Sequence, residues 1–147
     1  MARLPEVNVE GTPFKKALAN TPEILNAFQQ MDKALNNILE PELMEMLRLR
    51  SASNNGCDYW QNMDYGTLDE SSRQTAMKQG EAELSARHKL ALELADHIMA
   101  YHGQLPDDMY NRLTRHFTRE EIIALFFQIG SKNGANWFII AMGIESK

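Results

Sequence analysis

The stretch Asn54-Asn55-Gly56-Cys57-Asp58-Tyr59-Trp60-Gln61-Asn62-Met63-Asp64 joins two helices and sets how they meet. Asn-Asn-Gly supplies residues that tolerate left-handed backbone, so it ends the first helix. Cys57 then falls in the first turn of the next, where unpaired amide groups favour a thiolate. It is the only cysteine of the chain. Glu45 lies twelve residues earlier, in the middle of the preceding helix. A carboxylate and a thiol on adjacent antiparallel helices can face one another across a small pocket, which makes the pair a candidate site. A lone cysteine is equally at home as a small buried hydrophobe.

Outward from this junction the chain reads as helices throughout. On the N-terminal side, Thr12-Pro13 opens a short helix. Thr21-Pro22-Glu23 opens another, with Thr as N-cap, Pro at the first helical position and an acid at the positive end of the dipole. Ile24, Phe28, Met31, Leu35 and Ile38 follow at helical spacing and predict one buried face over about 22–38. Pro41 opens the helix that carries Glu45. There Leu43, Met44, Met46, Leu47 and Leu49 are apolar over much of the circumference, as in a central helix or one at a subunit contact. Glu45 either shares a narrow polar face with Glu42 and Arg48 or points into a pocket.

On the C-terminal side, residues 66–72 are polar and turn-rich, and Gly80 ends a weak helix over 73–78. Ser85 caps a strong helix to about Tyr101, stopped by His102-Gly103 and Pro106, and Met109, Leu113 and Phe117 form the ladder of another. Thr118 and Glu121 make a capping box. The helix that follows is expected to be interrupted by Gly130 and Gly134 before the apolar run Trp137 to Met142, which is placed in the core or between subunits. No segment reads as a strand. The expectation is an all-α bundle: an N-terminal arm over 1–11, ordered against a partner, and one helical domain over 12–145.

With 147 residues the chain has room for one sizeable core. Fifteen basic against twenty acidic residues, a net charge of -5, leave no electrostatic footprint for nucleic acid. No apolar run is long enough to span a bilayer and no signal peptide is evident, so a cytoplasmic location outside the membrane is expected. His88, His97, His102 and His116 lack metal-ligand spacing, and no dinucleotide, Walker or nucleophile-elbow pattern occurs, so no metal and no cofactor are expected. The nine methionines read as core filling.

At Glu45, at Asn54 to Trp60 and at Asn133-Gly134-Ala135-Asn136-Trp137-Phe138, the chain resembles the carboxymuconolactone decarboxylase-like superfamily that includes alkylhydroperoxidase D. Pro13-Phe14, Pro22-Glu23 and His116-Phe117-Thr118 extend the resemblance over roughly 12–145. It implies an all-helical protomer assembled as a homotrimer or homohexamer. It also implies a redox motif of Glu, eleven residues, Cys, two residues, Cys, three residues, His. Glu45 falls on the proton-relaying glutamate and Cys57 on the first cysteine, whereas Trp60 stands at the second cysteine and Asp64 at the histidine. Glu45, Cys57 and Asp64 are therefore the catalytic candidates, with Tyr59 and Trp60 lining the pocket.

The two departures have chemical consequences. Without a second thiol no internal disulfide can close after peroxide reduction. A carboxylate in place of an imidazolium disfavours a thiolate. The leading expectation is a family member with an antioxidant, peroxide- or thiol-related role and an incomplete dithiol motif. The alternatives are a non-redox lyase or decarboxylase-like enzyme on a small organic acid, with Glu45 and Asp64 as the proton-transfer pair, or a non-catalytic helical oligomer or binding module. The substrate is a small molecule of unknown identity.

Overall fold

The computed structural model describes residues 1–146 and is all-helical, with eight helices and no strand among them. They are α1 (Pro13–Leu18), α2 (Pro22–Asn36), α3 (Pro41–Asn54), α4 (Asp58–Asn62), α5 (Glu70–Ala76), α6 (Ala86–Ala100), α7 (Asp107–His116) and α8 (Arg119–Met142). Among the described residues no helix is long and apolar enough to cross a membrane.

The apolar circumference of α3 makes it the hub. Leu43, Leu47, Leu49 and Ala52 are completely buried, and α4, α5, α6 and α8 pack around it. The main core joins α3 to Leu90 and Leu94 of α6, Leu113 of α7 and Leu125 and Ile129 of α8. A second cluster, built from Phe14, Ala17, Cys57, Tyr59, Trp60, Ala135 and Ile139, seats α1 and α4 against the C-terminal half of α8. Polar ties bind the helices at the rim. Arg87 takes both oxygens of Glu40, each at 2.9 Å, and also donates to Glu121 and to the His116 carbonyl. Its guanidinium lies 4.2 Å from the Phe117 ring centroid, and the His88 ring stands 3.1 Å from Glu40.

Several local expectations change. Helix α8 runs unbroken for 24 residues through Gly130 and Gly134. Two glycines cost about 1 kcal/mol each, less than the burial of Leu125, Ile129, Ala135 and Ile139 on either side contributes. Its start has the expected capping box, and it ends at Gly143, whose φ of 64° lets Ile144 N–H reach back to the Ile139 carbonyl. Thr21 makes no side-chain cap. On α2 only Leu35 is buried, whereas Ile24 and Met31, and Ile38 just beyond the end of the helix, are exposed, because α2 lies at the edge of the bundle against α1 and α8. Helix α5 starts three residues earlier than expected because Asp69 caps it through the Ser72 amide. The arm at the N-terminus is held by the chain itself, through Arg3 N–H to the Met142 carbonyl and Val7 N–H to the Lys16 carbonyl.

Candidate functional site

Gly56, with φ of 61°, turns the chain out of α3, and Cys57 N–H bonds back to the Ala52 carbonyl at 2.9 Å. The turn signal thus acts as read. Cys57 is the N-cap of α4 rather than a residue of its first turn. The thiol is 1% exposed. Burial pushes its pKa up, and Asp58 adds to this, whereas the Trp60 and Tyr59 amides pull the other way and lose. The expected thiolate-favouring environment is therefore replaced by a desolvating one.

Helix α4 has only five residues, and its C-terminal carbonyls need partners. Two buried arginines supply them. Arg48 of α3 donates to the Trp60 and Met63 carbonyls, both at 2.6 Å, and Arg73 of α5 donates to the Gln61 carbonyl and, at 3.0 Å, to Met63. Glu45 in turn receives both Nε and Nη2 of Arg48, at 2.5 and 2.9 Å. The pair is 6% exposed on each side, so of the two positions left open for Glu45, a polar face or a pocket, the solvated one is excluded. Cations at a helix C-terminus also favour its dipole.

After Asn62 the backbone is extended at Met63, which carries Asp64 off the helix. Its side chain is half exposed, accepts from the Gly66 amide at 2.9 Å and stands 3.9 Å from Arg73. Cys57, position 60 and position 64 therefore do not share one helical face. Tyr59 accepts from the Phe14 amide at 3.0 Å, and Trp60 packs edge-on against Phe14 and Tyr59 with centroids 4.9 and 4.8 Å away.

The Asn-rich motifs tie helices together. Asn55 donates to Asn133 at 2.6 Å and accepts from the Trp137 indole at 2.9 Å, so the α3–α4 turn is fastened to α8.

Two adjoining cavities open between α2, α3 and α8. The inner one, about 120 Å³, is walled by Phe28, Trp60, Tyr65, Ala135 and Asn136. The outer one, about 340 Å³, reaches Glu45, Met44, Thr67 and Gln128. Asp32, Arg48, Tyr65 and Lys132 border both. Lys132 is paired with Asp32 at 2.6 Å, and the Arg48 guanidinium lies 4.8 Å from the Tyr65 ring centroid. Burial, partly offset by Arg48, raises the Tyr65 pKa. Cys57 lines a separate cavity of about 320 Å³ with Gly56, Asp58, Tyr59 and Ile139, and none of its lining residues borders the Glu45 cleft. Trp60 faces the cleft and Tyr59 the thiol, so the two expected pocket residues part. Among the described residues no three of His, Cys, Asp and Glu come together as a metal-binding set.

Sequence reasoning missed Asp32, Tyr65, Gln128, Lys132 and Asn136 as cleft residues. The signal was the spacing of Gln128, Lys132 and Asn136 at i, i+4 and i+8, polar positions on one face of an apolar helix. The expected break at the glycines hid it.

No family model matches the chain. It is 28% identical over 138 residues to the uncharacterized protein YdfG of Bacillus subtilis (strain 168), covering 83% of this chain and 88% of that one. Solved structures with similar folds include an uncharacterized peroxidase-related protein from Silicibacter sp. TM1040. That structure has a TM-score of 0.76 and 22% identity, with coverage of 92% of this chain and 76% of the other. An alkylhydroperoxidase AhpD core protein from Ralstonia eutropha JMP134, also described as peroxidase-related, gives 0.77 and 19%, over 92% and 77%. A cysteine-to-alanine variant of the debrominase Bmp8, in complex with 2,3,4-tribromopyrrole, gives 0.76 and 17%, over 91% and 76%.

Proposed function

We propose, taking the alkylhydroperoxidase D-like fold of the carboxymuconolactone decarboxylase-like superfamily as the premise, that this protein binds and acts on a small organic molecule in the cleft between α2, α3 and α8 without dithiol chemistry. The observation that carries this reading is the separation of Glu45 and Cys57 into cavities with no residue in common. Within the cleft, Glu45 is the group placed to take or give a proton, and Arg48, which donates to both its oxygens, fixes its position. Asp64 borders neither cavity of the cleft and drops out of the proton-transfer pair. Peroxide consumption with dithiothreitol as reductant, on wild type and Cys57→Ser, tests this. Both proteins are expected at the uncatalysed rate, because a buried protonated thiol without a partner neither attacks peroxide quickly nor closes a disulfide. Fast turnover that vanishes in Cys57→Ser would reverse the conclusion.

That result would favour a second reading, a lone-thiol antioxidant role, which the peroxidase-related neighbours support. In either case we place one domain over 12–145 and an assembly of three or six copies. Ile123, Phe127, Trp137 and Ile140 of α8 are 50–60% exposed, and Ile24 and Met31 of α2, with Ile38 just beyond its end, add to the uncovered apolar surface. A second copy covering these faces would remove that surface from water.

A further inference from the structure

The face that α8 turns to the cleft is a polar ladder of Gln128, Lys132 and Asn136. One turn apart each, they span about 12 Å along the helix. The middle rung is satisfied, since Lys132 is paired with Asp32. The outer two are not. Gln128 is 1% exposed, and its Nε2 donates to the Met44 carbonyl at 2.9 Å, which leaves Oε1 as an acceptor with no partner in the protein. Asn136 is 2% exposed, and its Nδ2 is a donor with no partner in the protein. Buried amide atoms are normally paired, so an unpaired one calls for a partner from outside the protein, an ordered water or a ligand.

The rest of the cleft narrows what that can be. Arg48 already holds Glu45 and two carbonyls, and Lys132 holds Asp32, so each cation meets its counter-charge inside the protein. A charged ligand would be desolvated without gaining an unpaired partner. Phe28, Trp60 and Tyr65 form aromatic walls around the inner cavity, which suit a flat ring.

Resting on the cleft as the working site, we propose that Gln128 and Asn136 set its specificity, and that its ligand is an uncharged aromatic molecule offering a hydrogen-bond acceptor to Asn136 and a donor to Gln128. Loss of a matched hydrogen bond in such a site discriminates strongly, because the protein group is again left unpaired.

The probes are 4-hydroxybenzamide, uncharged with both donor and acceptor, and 4-hydroxybenzoate, the same shape with a charge. Binding is read from the Trp60 indole N–H and the Asn136 side-chain amide resonances. The amide is expected to shift these signals saturably, and the carboxylate to bind at least about tenfold more weakly. Asn136→Leu, of similar volume, should weaken the amide by at least about tenfold and raise Tm by about 2–4 °C, since it removes an unpaired buried group. Asn136→Ala, which only trims the side chain, gives the same binding readout should the Leu variant fail to fold. Unchanged amide binding in the Asn136 variants, or tighter binding of the carboxylate, would overturn the inference and leave the cleft as the working site. No shift at Trp60 with either probe would overturn both.

Discussion

Replacing Arg48 by Met keeps the aliphatic stem and removes the fork that joins α3 to α4. Wild-type Arg48 satisfies four acceptors: both oxygens of Glu45 and the carbonyls of Trp60 and Met63. Met63 retains Arg73 at 3.0 Å, so its loss is partial. Glu45, only 6% exposed in the wild type, keeps no cation. Breaking a buried pair from one side costs about 3–5 kcal/mol, a third or more of the stability of an average domain. For a chain of this length that lowers Tm by about 10–16 °C. Calorimetry on Arg48→Met, Glu45→Leu and the double variant measures it. The double variant should recover most of the loss, because it has no stranded carboxylate. A Tm for Arg48→Met within about 2 °C of wild type, or a double variant no better than the single, would refute the view that this pair is a buried, mutually dependent unit.

Acid should release the Arg87 tie. The Arg87 guanidinium holds the Glu40 carboxyl down from 4.5 to about 2, so its stabilisation is present above 4.5 and is lost as pH falls from there toward 2. Urea midpoints followed down through that window should fall more steeply for wild type than for Glu40→Gln, and parallel curves would contradict the assignment. On α8, Phe127 is 54% exposed, and sedimentation should find wild type as three or six copies and Phe127→Glu as smaller species with unchanged helix content. A folded wild-type monomer at micromolar concentration would contradict the assembly. Native Cys57, 1% exposed with its pKa pushed up, should react with a disulfide reagent far more slowly than after unfolding, and equal rates would contradict its burial.

Most helix positions were legible from local signals, although the Asp69 cap that starts α5 was not read. Thr118 and Glu121 close a capping box as read, Gly56 turns the chain out of α3, and Leu43 to Leu49 form the central helix because they are apolar over much of its circumference. The larger errors arise where a long-range partner decides. Gly130 and Gly134 are poor helix formers in isolation, but the residues flanking them are buried against α3 and hold the turn. For Glu45 the sequence leaves a polar face and a pocket both open, because the spacing of Glu45 and Arg48 says nothing of the α4 carbonyls that lie across from them. Asp64 stands at the motif's histidine position, but α4 stops at Asn62, so the side chain leaves the helix before it can reach the thiol. The cleft itself was illegible, since it joins residues of α2, α3 and α8 that no periodicity relates.

The contact between α3 and α8 joins residues far apart along the chain: the bond from Gln128 to Met44 closes a loop of 84 residues. Loop-closure entropy grows only with the logarithm of length, so twenty further residues inside that loop would add just about 0.2 kcal/mol. The turn at 101–104 between α6 and α7 is exposed and contributes nothing to the cleft. The chain can therefore grow there, by an inserted hairpin or a whole small domain, without loosening the helix pair on which the cleft depends.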